Sequence, residues 1–130
     1  MARVSFDSGV LIALDRGDKR AWGWLTRAVD RGEAPLVSAA AVAEAWRGGR
    51  RQARLAAALQ VCDVRIVDQP LAPRAGEALA TTGGEDPVDA LVAATAAADG
   101  ALLVTGDPDD MRAFADRHFR SLRVAALSGK

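Results

Sequence analysis

Short apolar runs alternate with helical stretches along the chain, and this alternation restricts the fold more than any other feature. Arg3-Val4-Ser5-Phe6-Asp7 predicts a first strand, which turns at Ser8-Gly9 into an apolar stretch over 10–14. A helix follows over about 18–31, with Trp22, Leu25, Ala28 and Val29 at helical spacing. Pro35-Leu36-Val37 is a short strand, and Ser38 is placed to cap an Ala-rich helix over 39–47 that Gly48-Gly49 ends. Beyond it come a helix over 52–59, a strand over 63–67, a helix over 71–80 with a loop at 81–84, and a helix over 87–98. Ala101-Leu102-Leu103-Val104-Thr105 is a continuous apolar strand of the kind buried on both faces, followed by a helix over 108–118 and a strand over 122–125. Such alternation predicts an α/β protein with a mostly parallel sheet and helices on both faces.

At 130 residues the expectation is one domain, 1–130, with enough chain to bury a core. No apolar run reaches membrane-spanning length and no basic-apolar-cleavage pattern opens the chain, so a soluble, unexported protein with no membrane partner is expected. The single cysteine, Cys62, fits a reducing cytoplasm. Seventeen basic and seventeen acidic residues cancel, which argues against a globally basic nucleic-acid binder and leaves room for a local patch.

Five acids, Asp7, Glu44, Asp89, Asp107 and Asp110, stand at or near predicted helix starts, most of them beside core-forming segments. Asp86-Pro87-Val88-Asp89 and Asp107-Pro108-Asp109-Asp110 share the pattern Asp-Pro-x-Asp, which also makes a good helix start: Asp caps, Pro fits the first turn, and a further acid answers the helix dipole. Capping does not explain Glu44, the only charged residue between Leu36 and Trp46, on a helix whose two faces both look partly buried. Asp7 and Asp107 directly follow strands, where open α/β sheets bind ligands. Three carboxylates about 5 Å apart would repel by roughly 3 kcal/mol per pair at an effective dielectric near 20. A hard divalent cation, Mg2+ or Mn2+, would turn that repulsion into a binding site.

Elimination points the same way. One histidine, His118, late on the last helix, leaves a Ser-His-Asp triad and a His/Cys zinc site without material. Cys62, between apolar neighbours, reads as a small buried hydrophobe. Neither a GxGxxG nor a GxxxxGK[ST] loop occurs. Carboxylates are the strong reagents that remain.

In order along the chain, the strand ending in Asp7-Ser8, the helical Val42-Ala43-Glu44-Ala45-Trp46-Arg47-Gly48, Asp89-Ala90-Leu91-Val92-Ala93-Ala94-Thr95-Ala96, and Leu103-Val104-Thr105-Gly106-Asp107-Pro108-Asp109-Asp110 resemble the PIN-domain ribonucleases. The nearest resemblance is to the VapC-type toxins of toxin–antitoxin pairs, and it runs over nearly the whole chain. It implies a three-layer α/β/α sandwich and hydrolysis of RNA phosphodiesters with Mg2+ or Mn2+. Carried over, Asp7, Glu44, Asp89 and Asp107 are the acidic quartet and Asp110 an accessory; Asp7, Asp89 and Asp107 are the metal ligands. Ser8 and Thr105 would orient carboxylates through their hydroxyls, with Asp86 sharing that work. The resemblance also implies a cognate antitoxin and a homodimer. Met111 stands where the family often has an aromatic residue.

Arg47, Arg50, Arg51 and Arg54 follow Glu44 closely and are candidate RNA-phosphate contacts, against the alternative of an ordinary solvated face. Arg16, Lys19 and Arg20 form a weaker second patch. Trp24 lies off the apolar stripe of its helix, so it is either partly exposed or an interface anchor. Two other readings compete. An aspartate-dependent phosphohydrolase of the haloacid-dehalogenase type needs a second Asp where Gly9 stands and a lysine before the late acidic loop, which is lacking. A degenerate domain could bind RNA or protein without cleaving.

Overall fold

The strands whose residues are apolar or small on both sides take the middle of the sheet. In the computed structural model, which describes residues 3–129, these are β1 (Val4–Phe6), β2 (Leu36–Ser38) and β4 (Leu102–Thr105). The more polar or more exposed β3 (Asp63–Arg65) and β5 (Arg123–Ala126) form the edges. The order is β3-β2-β1-β4-β5 and every pairing is parallel, with Phe6 opposite Val37 on one side and Val104 on the other. The expected mostly parallel sheet is thus parallel throughout the described residues.

Crossovers between the parallel strands carry the helices. α1 (Ser8–Asp15), α2 (Lys19–Asp30), α3 (Ala39–Ala45) and α4 (Ala53–Gln60) lie between β1 and β3, and α1 packs against the other three. α5 (Leu71–Thr82), α6 (Pro87–Asp99) and α7 (Pro108–Arg117) pack on one another on the opposite face. The result is the three-layer α/β/α sandwich. Phe6, Leu11, Leu14, Leu36, Leu55 and Leu103 are fully buried between the layers. Met111 is fully buried too, so an unbranched apolar side chain fills the place the family often gives an aromatic.

Several boundaries differ from the sequence reading, each for a local reason. α3 stops at Ala45 rather than continuing to 47, because Trp46 adopts an extended backbone. The Gln52 side chain, not the glycine pair, closes the helix: its Oε1 accepts from the N–H groups of Arg47 (2.6 Å) and Gly48 (2.9 Å), and its Nε2 donates to the Ala45 carbonyl (2.9 Å). Gly48 and Gly49, at φ +81° and +85°, then turn the chain into a 3-10 turn over Arg50–Gln52. Replacing Gln52 with Ala leaves two N–H groups and a carbonyl to find other partners. That change should cost about 1–2 kcal/mol in urea unfolding for this half-exposed site. No loss of stability would mean that water substitutes fully.

α5 runs through Thr81 and Thr82, read as loop, because their hydroxyls bond back to the Glu77 and Ala78 carbonyls and Gly83 provides the left-handed cap. The buried stripe of α2 is Ala21, Leu25 and Ala28, so Val29, one position further round, is exposed. β3 ends at Arg65, leaving Ile66 beyond the pairing and exposed, because its only sheet neighbour, β2, is itself three residues long. None of the described helices is long and apolar enough to cross a membrane.

Candidate active site

The direction of strand succession reverses between β1 and β4, and the carboxyl ends of those two strands define the place where an open α/β sheet forms its ligand crevice. Asp7 leaves β1 there and caps α1: its Oδ1 accepts from the Val10 N–H at 2.9 Å. Its Oδ2 accepts from the Thr105 hydroxyl at the end of β4, and that hydroxyl in turn accepts from the Asp107 N–H at 2.8 Å. Thr105 therefore ties the first acid to the loop that carries the last. Asp7 is 4% exposed. Burial raises its pKa, the bonds from Thr105, Val10 and Gly106 oppose the rise, and the neighbouring Asp107 adds to it. The close approach is tightest at Gly9. A Cβ at Gly9 would lie 3.3 Å from Asp7 Oδ1, so a side chain there would press on that carboxylate, while the Gly106 Cα at 3.5 Å would be in ordinary contact.

Glu44, near the end of α3, accepts a hydrogen bond from the Ser8 hydroxyl at the start of α1. It is exposed, contrary to the expectation that both faces of this helix are partly buried: Ala41 and Ala45 form the inner face, while Ala43 and Glu44 face outward. Its role thus rests on its tether to Ser8 and its proximity to the other acids.

The two Asp-Pro-x-Asp segments behave differently. Asp86 caps α6, accepting from the N–H groups of Val88 (2.9 Å) and Asp89 (3.4 Å). Asp107 precedes α7 with no side-chain capping bond, which leaves its carboxylate to other partners. Asp89, in the first turn of α6, has its pKa pushed up to about 7, first by burial and then by the charges of Asp86, Asp7, Glu44 and Asp110. Asp110 is also raised, chiefly by its hydrogen bond to Asp107 and by that residue's charge. Asp86, Asp89 and Asp110 line one cleft of about 360 Å³.

Among the described residues no cation pairs with this group. The ion pairs among the described residues join Arg3 to Asp63 and Arg65 to Asp63 and Asp99, away from the site. Oxygen donors carrying uncompensated negative charge have the chemistry that hard divalent ions require. Among the described residues, however, no three acidic side chains already converge as a ready-made metal cage. Asp7, Asp89 and Asp107 are electrostatic neighbours rather than a closed coordination shell.

The arginines after Glu44 divide as well. Arg47 folds back, its Nη1 donating to the carbonyls of Trp46 (2.7 Å) and Ala43 (3.2 Å), and Arg54 lies against Gly17 at the turn after α1. Arg50 and Arg51 are exposed on the 3-10 turn. His118 is half-buried, with Nδ1 3.1 Å from the Thr81 hydroxyl and its ring edge-on to Phe119, so it holds α7 to α5 away from the acids. Cys62 packs half-buried against the core, and burial pushes its thiol up to about 12, an inert side chain. Gln52 was missed by sequence reasoning, because its partners lie five and four residues back at Arg47 and Gly48 and no spacing rule marks them.

The model of the PIN domain family matches residues 4–117, from the start of β1 to the end of α7. The chain belongs to the PIN domain family. The match embraces each acid described above. Solved structures with the same fold include VapBC2 from Rickettsia felis bound to a promoter DNA fragment (TM-score 0.73, 17% identity, 95% of this chain and 97% of that one). DNA-bound VapBC from Salmonella typhimurium is also similar (TM-score 0.67, 17% identity, 98% and 99% covered). So is FitAcB from Neisseria gonorrhoeae (TM-score 0.66, 18% identity, 93% and 95% covered). At such identities these neighbours share the PIN fold. Among curated proteins, no sequence matches the chain.

Proposed function

We propose that this PIN domain is a metal-dependent endoribonuclease and the toxin of a toxin–antitoxin pair. The observation that carries the chemistry is a buried Asp7 at the sheet's switch point, within electrostatic reach of Asp89 and Asp107, in an acidic group with no cationic partner among the described residues. Asp7, Asp89 and Asp107 would hold Mg2+ or Mn2+, which would polarise a phosphoryl oxygen and lower the pKa of an attacking water. Thr105 fixes the Asp7 carboxylate, and Ser8 fixes Glu44. Being exposed and tethered, Glu44 is placed to take the proton of the attacking water at its free oxygen. Asp86 holds the first turn of α6 and Asp110 bonds to Asp107, both as supports. Exposed Arg50 and Arg51, with Arg47 and Arg54 beside them, would meet substrate phosphates.

The likeness of fold to VapBC and FitAcB supports the rest of the reading: a cognate antitoxin as partner, a homodimer, one functional domain, and action in the cytoplasm. Purified protein should cut single-stranded RNA in millimolar Mg2+ or Mn2+ and stop in excess EDTA. Equal cleavage with the chelator would remove the metal from the reaction. The open spacing of the acids favours one rival, a PIN domain that binds without cutting. Calorimetric titration with Mn2+ separates the two, since a binding-only domain would give no heat at millimolar metal.

A further inference from the structure

A second surface adjoins the acidic site from the opposite side of the β4 loop. Lys19, Arg20, Trp24 and Arg27 of α2, with the segment 127–129, line a groove of about 390 Å³. Arg20 and residues 127–128 continue into a smaller hollow of about 160 Å³, whose far wall is Thr105, Gly106 and Pro108. Thr105 and Gly106 are the residues that bond Asp7, so the groove leads from Trp24 to the back of the catalytic loop. No carboxylate lines either part, and none of its three cations forms an ion pair among the described residues. Asp18, next to Lys19, is spent on capping α2, accepting from the Arg20 and Ala21 N–H groups.

Two further features lie along the groove. The Arg27 guanidinium carbon lies 5.2 Å from the centre of the ring of Trp24, a half-buried residue packed on the core, so the planar guanidinium covers the ring on the groove. Gly23 stands mid-helix, where glycine is costly, and a Cβ there would come 3.3 Å from Arg27 Nη1. Cations following a backbone path, with an aromatic face among them, are the combination that holds unpaired nucleic-acid strands. A duplex offers no free base face to stack there.

We propose that this groove holds the single-stranded flank of the substrate RNA, one base stacked on the Trp24–Arg27 pair and the phosphates on Lys19 and Arg20. The inference rests on the ribonuclease reading and adds where the strand lies beyond the cut. The test is binding of a fluorescein-labelled ten-nucleotide oligouridylate in EDTA, where cleavage does not interfere. Trp24→Leu, which keeps apolar packing but removes the ring, should weaken binding about tenfold, within the range for one stacked base. Arg20→Gln should lower the slope of log affinity against log salt by about 0.7. Affinity and slope unchanged in both variants would overturn the proposal. So would unchanged RNA affinity combined with an altered oligomeric state, which would assign the groove to protein contact. Because no cleavage is read, failure of the ribonuclease reading would appear separately, as wild-type protein that binds the strand but leaves it intact in Mn2+.

Discussion

Asp7→Asn should reduce RNA cleavage by more than about a hundredfold, the upper end of the loss from removing even an outer partner of a metal ligand. Its melting temperature should stay at or above the wild-type value. The two effects have one cause. Asp7 is almost wholly buried, and burial works against its charge. An Asn keeps the shape, its carbonyl can still accept from the Val10 N–H, and its amide can donate to the Thr105 oxygen. The cap survives while the buried charge goes. Asp7→Ala, by contrast, removes the cap and should lose about 1 kcal/mol. Cleavage assays beside thermal melts check both parts. An Asn variant that cuts RNA at the wild-type rate would remove Asp7 from the site, and one that fails to fold would show its charge to be structural.

The order of elements, the parallel sheet and the placing of Asp7, Asp89 and Asp107 were legible because each depends on local signals: apolar period, strand-end position and the Asp-Pro pattern. The hydroxyl contacts from Ser8 to Glu44 and Thr105 to Asp7 join residues 36 and 98 positions apart, and only the resemblance to a known family anticipated them. Burial of Glu44 was misread because alanine reports a buried face poorly. A run of alanines is compatible with either side of a helix facing out, and here Ala43 and Glu44 do. The twin Asp-Pro-x-Asp segments could not be told apart in sequence. What separates them is backbone geometry: Asp86 is extended and caps α6, whereas Asp107, at φ −129° and ψ 75°, gives its N–H to Thr105 and leaves its uncapped carboxylate beside Asp110.

Metal affinity should rise steeply with pH and then level off near pH 7, because Asp89 must lose its proton before it can act as a ligand. Its pKa of about 7 lies well above the ordinary value near 3.9 that it regains on unfolding. Between those values the folded chain holds a proton that the unfolded chain has released. Metal-free protein should therefore be most stable toward the acid end of this window and lose stability as pH climbs through about 7. Asp7 and Asp110 are raised as well and act in the same direction. Asp63 acts in the opposite sense: burial pushes its pKa up, but hydrogen bonds and charge from Arg65 and Arg3 outweigh that and hold it low, so its contribution is lost only below about pH 4. Mn2+ should reverse the trend, with affinity gaining up to about tenfold per pH unit below 7 as one proton is displaced. Melting curves from pH 5 to 8, in EDTA and in millimolar Mn2+, should diverge as pH rises. Asp89→Asn should flatten the EDTA curve and abolish most of the divergence. Parallel curves for the unaltered protein would mean that Asp89 titrates without meeting metal, and the acids on α6 would then be a helix start and nothing more.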